Sequence, residues 1–375
     1  MYYSRRASAW REKTRPYIDR QMSYWRNRPN TQPGSVLRHA VVKVVTCARR
    51  GARALPTIVG DLVFATIMLG VLRPIAAWLP YSRVLAVARA FGLANAMMPC
   101  YGRRTLVRMH RAFGKHMSAN ATTRVTAEYL ARRLCDSVVI GRALRGRSDI
   151  DNWRVEQTTT ASVDELKASD ESFILATGHF SRHAYMSLYA REVIPQKITF
   201  LLLPPVTRTL HPSTWWLKYH YGQMLEYLRT FRPETEFVNP GQPSKYRQLI
   251  KKLSEPRNVF VAHVDARWGA NKGGYYVRPF AGLEAQSFGI GVARLSRMSG
   301  RPIVVCIPYL KDDRTIVLDW IRVIRPSSTS NNDADRRVTD TILDDIERAV
   351  GRRPSQYVLD FLGQRRWDSP TERWV

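Results

Sequence analysis

Cysteine is scarce and scattered in this chain: Cys47, Cys100, Cys135 and Cys306 form neither a CxxC pair nor a dense framework. Such spacing argues against a disulfide scaffold or a structural zinc cluster and fits a reducing, cytosol-facing environment. Acidic residues are also in short supply, with 31 Asp and Glu against 59 Lys and Arg in 375 residues, for a formal charge of +28. That excess is beyond what solubility needs and points to a polyanionic partner: nucleic acid, an anionic membrane surface, or a phosphorylated or acidic carrier. Neither GxGxxG nor a Walker P-loop occurs, which leaves nucleotide-dependent chemistry without support, and the histidines lack ligand spacing such as HExxH, so no metal site is indicated. Long uncharged apolar runs are missing too. The most apolar stretch, Pro56 to Pro80, is interrupted by Asp61 and Arg73, whereas a spanning helix needs about 20 largely uncharged residues. An interfacial helix suits it better, with a buried helix of the globular part as the alternative. Residues 1–54 carry 13 Lys and Arg against Glu12 and Asp19 and lack the apolar core of a signal peptide, so this arm is expected to stay on the mature protein.

What is present is enough apolar content, 45% of residues, for a large core. The chain divides into three regions. Residues 1–54 read as a basic arm, and residues 55–150 as a helical, membrane-associated segment in which Tyr129, Leu130, Leu134, Val138, Val139 and Leu144 recur near helical spacing. From 151 to 368 the pattern becomes that of an α/β domain with a C-terminal helix. Candidate strands are 173–177, 198–203, 259–264, 303–308 and 315–320, and candidate helices are 183–190, 215–228, 246–253 and 287–299. The fold class is therefore α/β, with a mixed, mostly parallel sheet flanked by helices. A closing helix over 334–350 aligns Val338, Ile342, Leu343, Ile346 and Val350, with Gly351 as its stop.

Two blocks carry the chemistry. Ile174-Leu175-Ala176-Thr177-Gly178-His179-Phe180 is an apolar run that stops at a glycine and then presents a histidine, which is how a buried strand delivers a general base to the C-terminal edge of a sheet. Val259-Phe260-Val261-Ala262-His263-Val264-Asp265 repeats that logic, and after it come Gly269, Gly273 and Gly274 and then Arg278-Pro279-Phe280-Ala281-Gly282.

These blocks resemble the lysophospholipid acyltransferase superfamily and, within it, the late acyltransferases of lipid A biosynthesis, the lauroyl and myristoyl transferase group. In that family a strand ends in Gly-His-Phe-Gly-Asn-Trp-Glu, and here Gly178-His179-Phe180-Ser181-Arg182-His183-Ala184 stands in its place. The family's aspartate, glycines and Phe-Phe-Gly turn look like Asp265 through Phe280-Ala281-Gly282. Its next helix and strand look like Gly289 to Gly300 and Arg301-Pro302-Ile303-Val304-Val305. A late Pro-Glu-Gln-Trp segment resembles Pro354-Ser355-Gln356-Tyr357, with Arg365-Arg366-Trp367 beyond it. The resemblance spans residues 55–368 in one order. Its HxxxxD/E signature places an orienting carboxylate where this chain has Ala184. Either another acid replaces it, Asp265 first and Glu284 second, or the chain is slow, altered in chemistry, or a non-catalytic relative that binds lipid or an assembly partner.

The resemblance implies transfer of a fatty or related acyl group from an acyl thioester, on acyl carrier protein or coenzyme A, to a hydroxyl or amine of a lipid or glycolipid. It implies no bound cofactor. It places the protein at the bacterial inner membrane, facing the cytoplasm, with anionic lipid and acyl carrier protein as partners. Nucleic acid is not expected, since the basic residues are spread along the chain rather than interleaved with aromatics on one element. His179 is the candidate base, or else a histidine capping the next helix; Asp265 orients it if the two strands are adjacent, or else caps a turn. Arg182 and Arg278 are candidates for holding phosphate or carboxylate by forked hydrogen bonds, or else solvated charges. Phe280 and Gly282 complete the candidate substrate site, with Gly282 bringing backbone amides to an oxyanion or simply supplying an unusual backbone angle. Trp215 and Trp216 would line an acyl groove, sit at a membrane interface or pack in the core.

Overall fold

The two blocks form neighbouring central strands. In the computed structural model β2 (Phe173–Thr177) and β5 (Asn258–His263) are buried at every position, as expected for strands covered on both faces, where apolar runs replace alternation. They pair in parallel, with Thr177 opposite His263. The structure describes residues 78–97, 101–143, 153–180, 197–201, 236–238, 243–265, 275–326, 331–357, 367–368 and 373–374. All belong to one compact unit that begins at residue 57.

The main sheet has seven strands in the order β1 (Arg154–Thr158), β9 (Thr315–Ile324), β8 (Ile303–Leu310), β2, β5, β3 (Lys197–Leu201) and β4 (Glu236–Val238). The five from β8 to β4 run in one direction; β9 is antiparallel to β8, and β1 is parallel to β9. This is the mixed, mostly parallel sheet that the alternating pattern implies. Its outer strand β1 reads Arg-Val-Glu-Gln-Thr and is largely open to water, so its missing apolar run left it without a signal in the sequence. A separate antiparallel hairpin, β6 (Tyr275–Phe280) and β7 (Leu283–Gly289), also goes unsignalled. β7 takes residues 287–289 away from the expected helix 287–299, and the helix found there starts at Gly291.

The described helices are α1 (Tyr81–Met97), α2 (Tyr101–Phe113), α3 (Ala119–Ala143), α4 (Ala161–Ala168), α5 (Pro243–Ser254), α6 (Gly291–Ser299) and α7 (Asn332–Arg352). The first three lie between Tyr81 and Ala143. Among the described residues no helix is long and apolar enough to cross a membrane, and the candidate stretch before residue 78 lies outside them. Met109, Phe113, Tyr129 and Leu130 of α2 and α3 share one core with Ile174, Phe260 and Ile346, so the described helical segment and the sheet bury their apolar faces together. Each such side chain contributes roughly 1.5–3 kcal/mol on burial.

Helix α7 begins at the cap residue Asn331, whose side chain accepts from Ala334 N–H at 2.7 Å, with Asp333 and Asp335 in the first turn, where the helix dipole favours acids. It runs through Gly351 to Arg352 and does not stop at the glycine. The stop comes from Pro354, which disfavours helical backbone at Arg353 (φ −139, ψ 59) and opens a 3-10 turn over Pro354–Gln356. Tyr357 comes next, buried and bridged to Phe180.

Candidate active site

Because β2 and β5 are adjacent and parallel, the residues after each strand emerge side by side at the C-terminal edge of the sheet, where α/β proteins place their ligand sites. Val264 N–H donates to Thr177 O at 2.9 Å and carries the pairing one step past the strands. There His179 and Asp265 meet. The backbone N–H of His179 donates to Asp265 Oδ2 at 2.8 Å, and its ring Nδ1 lies 2.5 Å from Asp265 Oδ1. The carboxylate thus grips the main chain and the ring of one residue together.

Gly178 makes that grip geometrically available. A β-carbon there would come within 2.8 Å of Ile346 Cγ2, 3.2 Å of the Phe180 ring and 3.3 Å of Asp265 Oδ2. Any side chain would push the carboxylate or α7 away. His179 and Asp265 are both buried, with side-chain exposures of 9% and 0%. Burial alone pushes the Asp265 carboxyl up, but the charge and hydrogen bonds of His179, with the charge of His263, outweigh it and hold the group below the ordinary carboxylate range. An aspartate kept ionised accepts from Nδ1–H, which fixes the tautomer and leaves Nε2 as the basic ring nitrogen.

Two neighbours have no role in the sequence reading. His263, the last residue of β5, stacks on His179 with ring centroids 4.2 Å apart and planes inclined by 28°. It closes an apolar strand two residues short of the register position of His179, and a histidine ending such a run is a signal that could have found it. Tyr357 is buried nearby, and burial, then the Asp265 charge, pushes its phenol well up. Nothing in its spacing announces this, since it comes from 178 residues further along the chain than His179.

The remaining candidates divide. Arg278 is engaged elsewhere: its guanidinium meets Asp340 at 3.2 Å, Asp344 at 2.7 Å and Glu347 at 3.2 Å, all on α7. A fork occupied by three carboxylates ties the hairpin to α7. Phe280 is a core residue, 5.1 Å from the Phe288 ring and 6.3 Å from the Tyr357 ring. Gly282 (φ 77) and Ala281 (φ 49) form the two-residue turn between β6 and β7. Positive φ at both central positions is the primed turn that tight hairpins favour. A β-carbon at Gly282 would sit 1.8 Å from Ala112 O, so the glycine is required for backbone angle and close packing, the simpler of its two readings. Arg182, His183, Ala184, Trp215 and Trp216 lie outside the described residues. Glu284 lies in β7, and its side chain is outside them as well.

Cys135 and Cys306, the free cysteines among the described residues, are buried, and burial pushes the Cys306 thiol up, which removes it as a thiolate nucleophile. No group of three or more His, Cys, Asp and Glu suited to a metal occurs among the described residues.

No protein-family model matches the chain. No curated protein matches it either. Among solved structures it is similar to the crystal structure of the 1-acyl-sn-glycerophosphate (LPA) acyltransferase PlsC from Thermotoga maritima, at 14% identity and a TM-score of 0.31, over 72% of this chain and 97% of that one. At that level the likeness carries no residue roles across.

Proposed function

We propose that this protein is an acyltransferase in which His179 is the general base and Asp265 its orienting carboxylate. The observation that carries the reading is the buried His179–Asp265 pair at the C-terminal ends of two adjacent parallel strands. With Nδ1–H committed to Asp265, Nε2 takes the proton of an acceptor hydroxyl or amine as its oxygen or nitrogen attacks the carbonyl carbon of an acyl thioester. The tetrahedral intermediate then collapses, its carbon–sulfur bond breaks, and the imidazolium returns the proton to the departing thiolate. One ester or amide and one thiol result, with no covalent enzyme intermediate. The carboxylate lacking at Ala184 is supplied by Asp265 from the neighbouring strand, which removes the main motive for a purely lipid-binding reading.

The donor in this reading is an acyl thioester of acyl carrier protein or coenzyme A, and the acceptor is a lipid or glycolipid at the cytoplasmic face of an inner membrane. The charge of +28 suits both an acidic carrier and anionic lipid. No cofactor or metal enters the chemistry proposed. Mass spectrometry of lipid extracts from cells with the wild-type protein, with His179→Ala, and without the protein tests it. A lipid heavier by one acyl group only in wild type is expected. The same lipid in the His179→Ala extract would refute the mechanism, and indistinguishable extracts would refute the activity.

A further inference from the structure

The histidine that closes β5 lies nearly flat against the histidine of the site. The His263 and His179 rings stack with centroids 4.2 Å apart and planes inclined by 28°, and both residues are buried. We infer that His263 is a positioning residue of this site, holding the plane of the His179 ring by contact with its face; the inference rests on the functional reading of the His179–Asp265 pair.

The two histidines stand on different supports. His263 belongs to β5, which lies between β2 and β3 in the sheet, and it is paired with Thr177. Just beyond it, Val264 N–H donates to Thr177 O at 2.9 Å. Its backbone is therefore part of a rigid ladder. His179 comes two residues after the end of β2, and its N–H turns to Asp265 Oδ2 at 2.8 Å. A side chain on such a segment needs a rigid element beside it to keep one geometry.

Asp265 provides half of that support. Its Oδ1 fixes where Nδ1 sits, 2.5 Å away, yet a hydrogen bond tolerates a bend of about 30°, which leaves the ring room to tilt about the bonded nitrogen. Nε2, on the far side of the ring, would swing with that tilt. A flat neighbour on the ring face closes this freedom, because tilting toward it meets a wall and tilting away opens a gap that forfeits packing contacts. Direction in the plane belongs to Asp265, and the plane itself belongs to His263. A residue serving only to finish the apolar run Val-Phe-Val-Ala would be aliphatic, since a buried imidazole has to be stripped of water.

His263→Leu removes the flat face and keeps most of the bulk. In the full-length protein, labelled with carbon-13 at the histidine Cε1 positions, the His179 signal is assigned by its loss in His179→Ala. Its order parameter is expected to fall in His263→Leu from about 0.85 to below about 0.6, the values of rigid and flexible groups, while circular dichroism shows the fold retained. His263→Phe, which keeps a ring face without the nitrogens, holds the wild-type value. His263→Gln, which keeps a polar group without a ring, loses order as His263→Leu does and covers the case in which His263→Leu does not fold. Where acyl transfer is measured, kcat falls about tenfold in His263→Leu and KM changes by less than about twofold, while His263→Phe stays within about threefold of wild type. An unchanged order parameter in the folded variants without a ring overturns the inference whatever the activity, and so does a value in His263→Phe as low as in those variants. Lost order in a protein that transfers no acyl group upholds the positioning role and refutes the proposed reaction instead.

Discussion

Two clusters of charge in this protein look alike on paper and differ in what surrounds them. At the sheet edge one carboxylate, Asp265, sits wholly out of water, bonded twice by His179, on whose ring His263 stacks. On the hairpin one guanidinium, Arg278, is shared among Asp340, Asp344 and Glu347, whose side chains are 34%, 56% and 35% exposed. The first cluster keeps a proton-accepting nitrogen in a fixed tautomer inside the protein, an arrangement that favours chemistry. The second satisfies a permanent charge at the rim, where water screens what the ions do for one another, and it serves to dock β6 and β7 on α7. Two carboxylate-bearing clusters thus part ways by burial and by whether the partner of the acid can change its protonation state.

The sharpest way to break this contrast is at its base. His179→Ala is expected to lower acyl transfer by roughly 10²–10⁴-fold, the usual contribution of a positioned general base, with the fold intact by circular dichroism. The hairpin should instead answer in stability. Gly282→Ala puts a side chain on a left-handed backbone and against Ala112 O, and urea denaturation is expected to show a loss of about 2–4 kcal/mol. Arg278→Leu leaves three acids without their shared cation and should cost about 1 kcal/mol, while kcat and KM per folded molecule stay within about twofold. A rise in KM for the thioester donor would return Arg278 to the substrate site and erase the contrast.

The smallest effect is in pH. Asp265 has a folded carboxyl value below its unfolded one, so its contribution to stability is fully present above the ordinary carboxylate value, about 3.9. It is lost as pH falls from there through the folded value. Asp265→Asn is expected to flatten that part of the stability curve in urea titrations at stepped pH. An unchanged slope would mean that the carboxylate is not held ionised by its histidine neighbours.

Much of this was legible because burial leaves a trace in residue choice. The runs Phe173 to Thr177 and Asn258 to His263 are central parallel strands because only unbroken apolar segments can be covered on both faces, and their polar successors His179 and Asp265 obey the same logic. What could not be read depended on partners far off in the chain. Arg278 gives no hint that α7, more than fifty residues later, supplies its carboxylates. Tyr357 looks like any aromatic after a proline turn, and β1 lacks an apolar pattern because it lies at an open edge. The pairing of β2 with β5, which brings Asp265 to His179, was conditional on strand order, and strand order is set by the packing of the whole sheet.

A double-mutant comparison of His179 and Asp265 tests the central claim most directly. Acyl transfer is measured for wild type, His179→Ala, Asp265→Asn and the double variant under one set of conditions. If the two residues act as one unit, Asp265→Asn is slow by itself, and the double variant is about as slow as His179→Ala alone, because an orienting carboxylate has nothing left to orient. Near-normal transfer by Asp265→Asn, or losses that simply multiply in the double variant, would contradict the account.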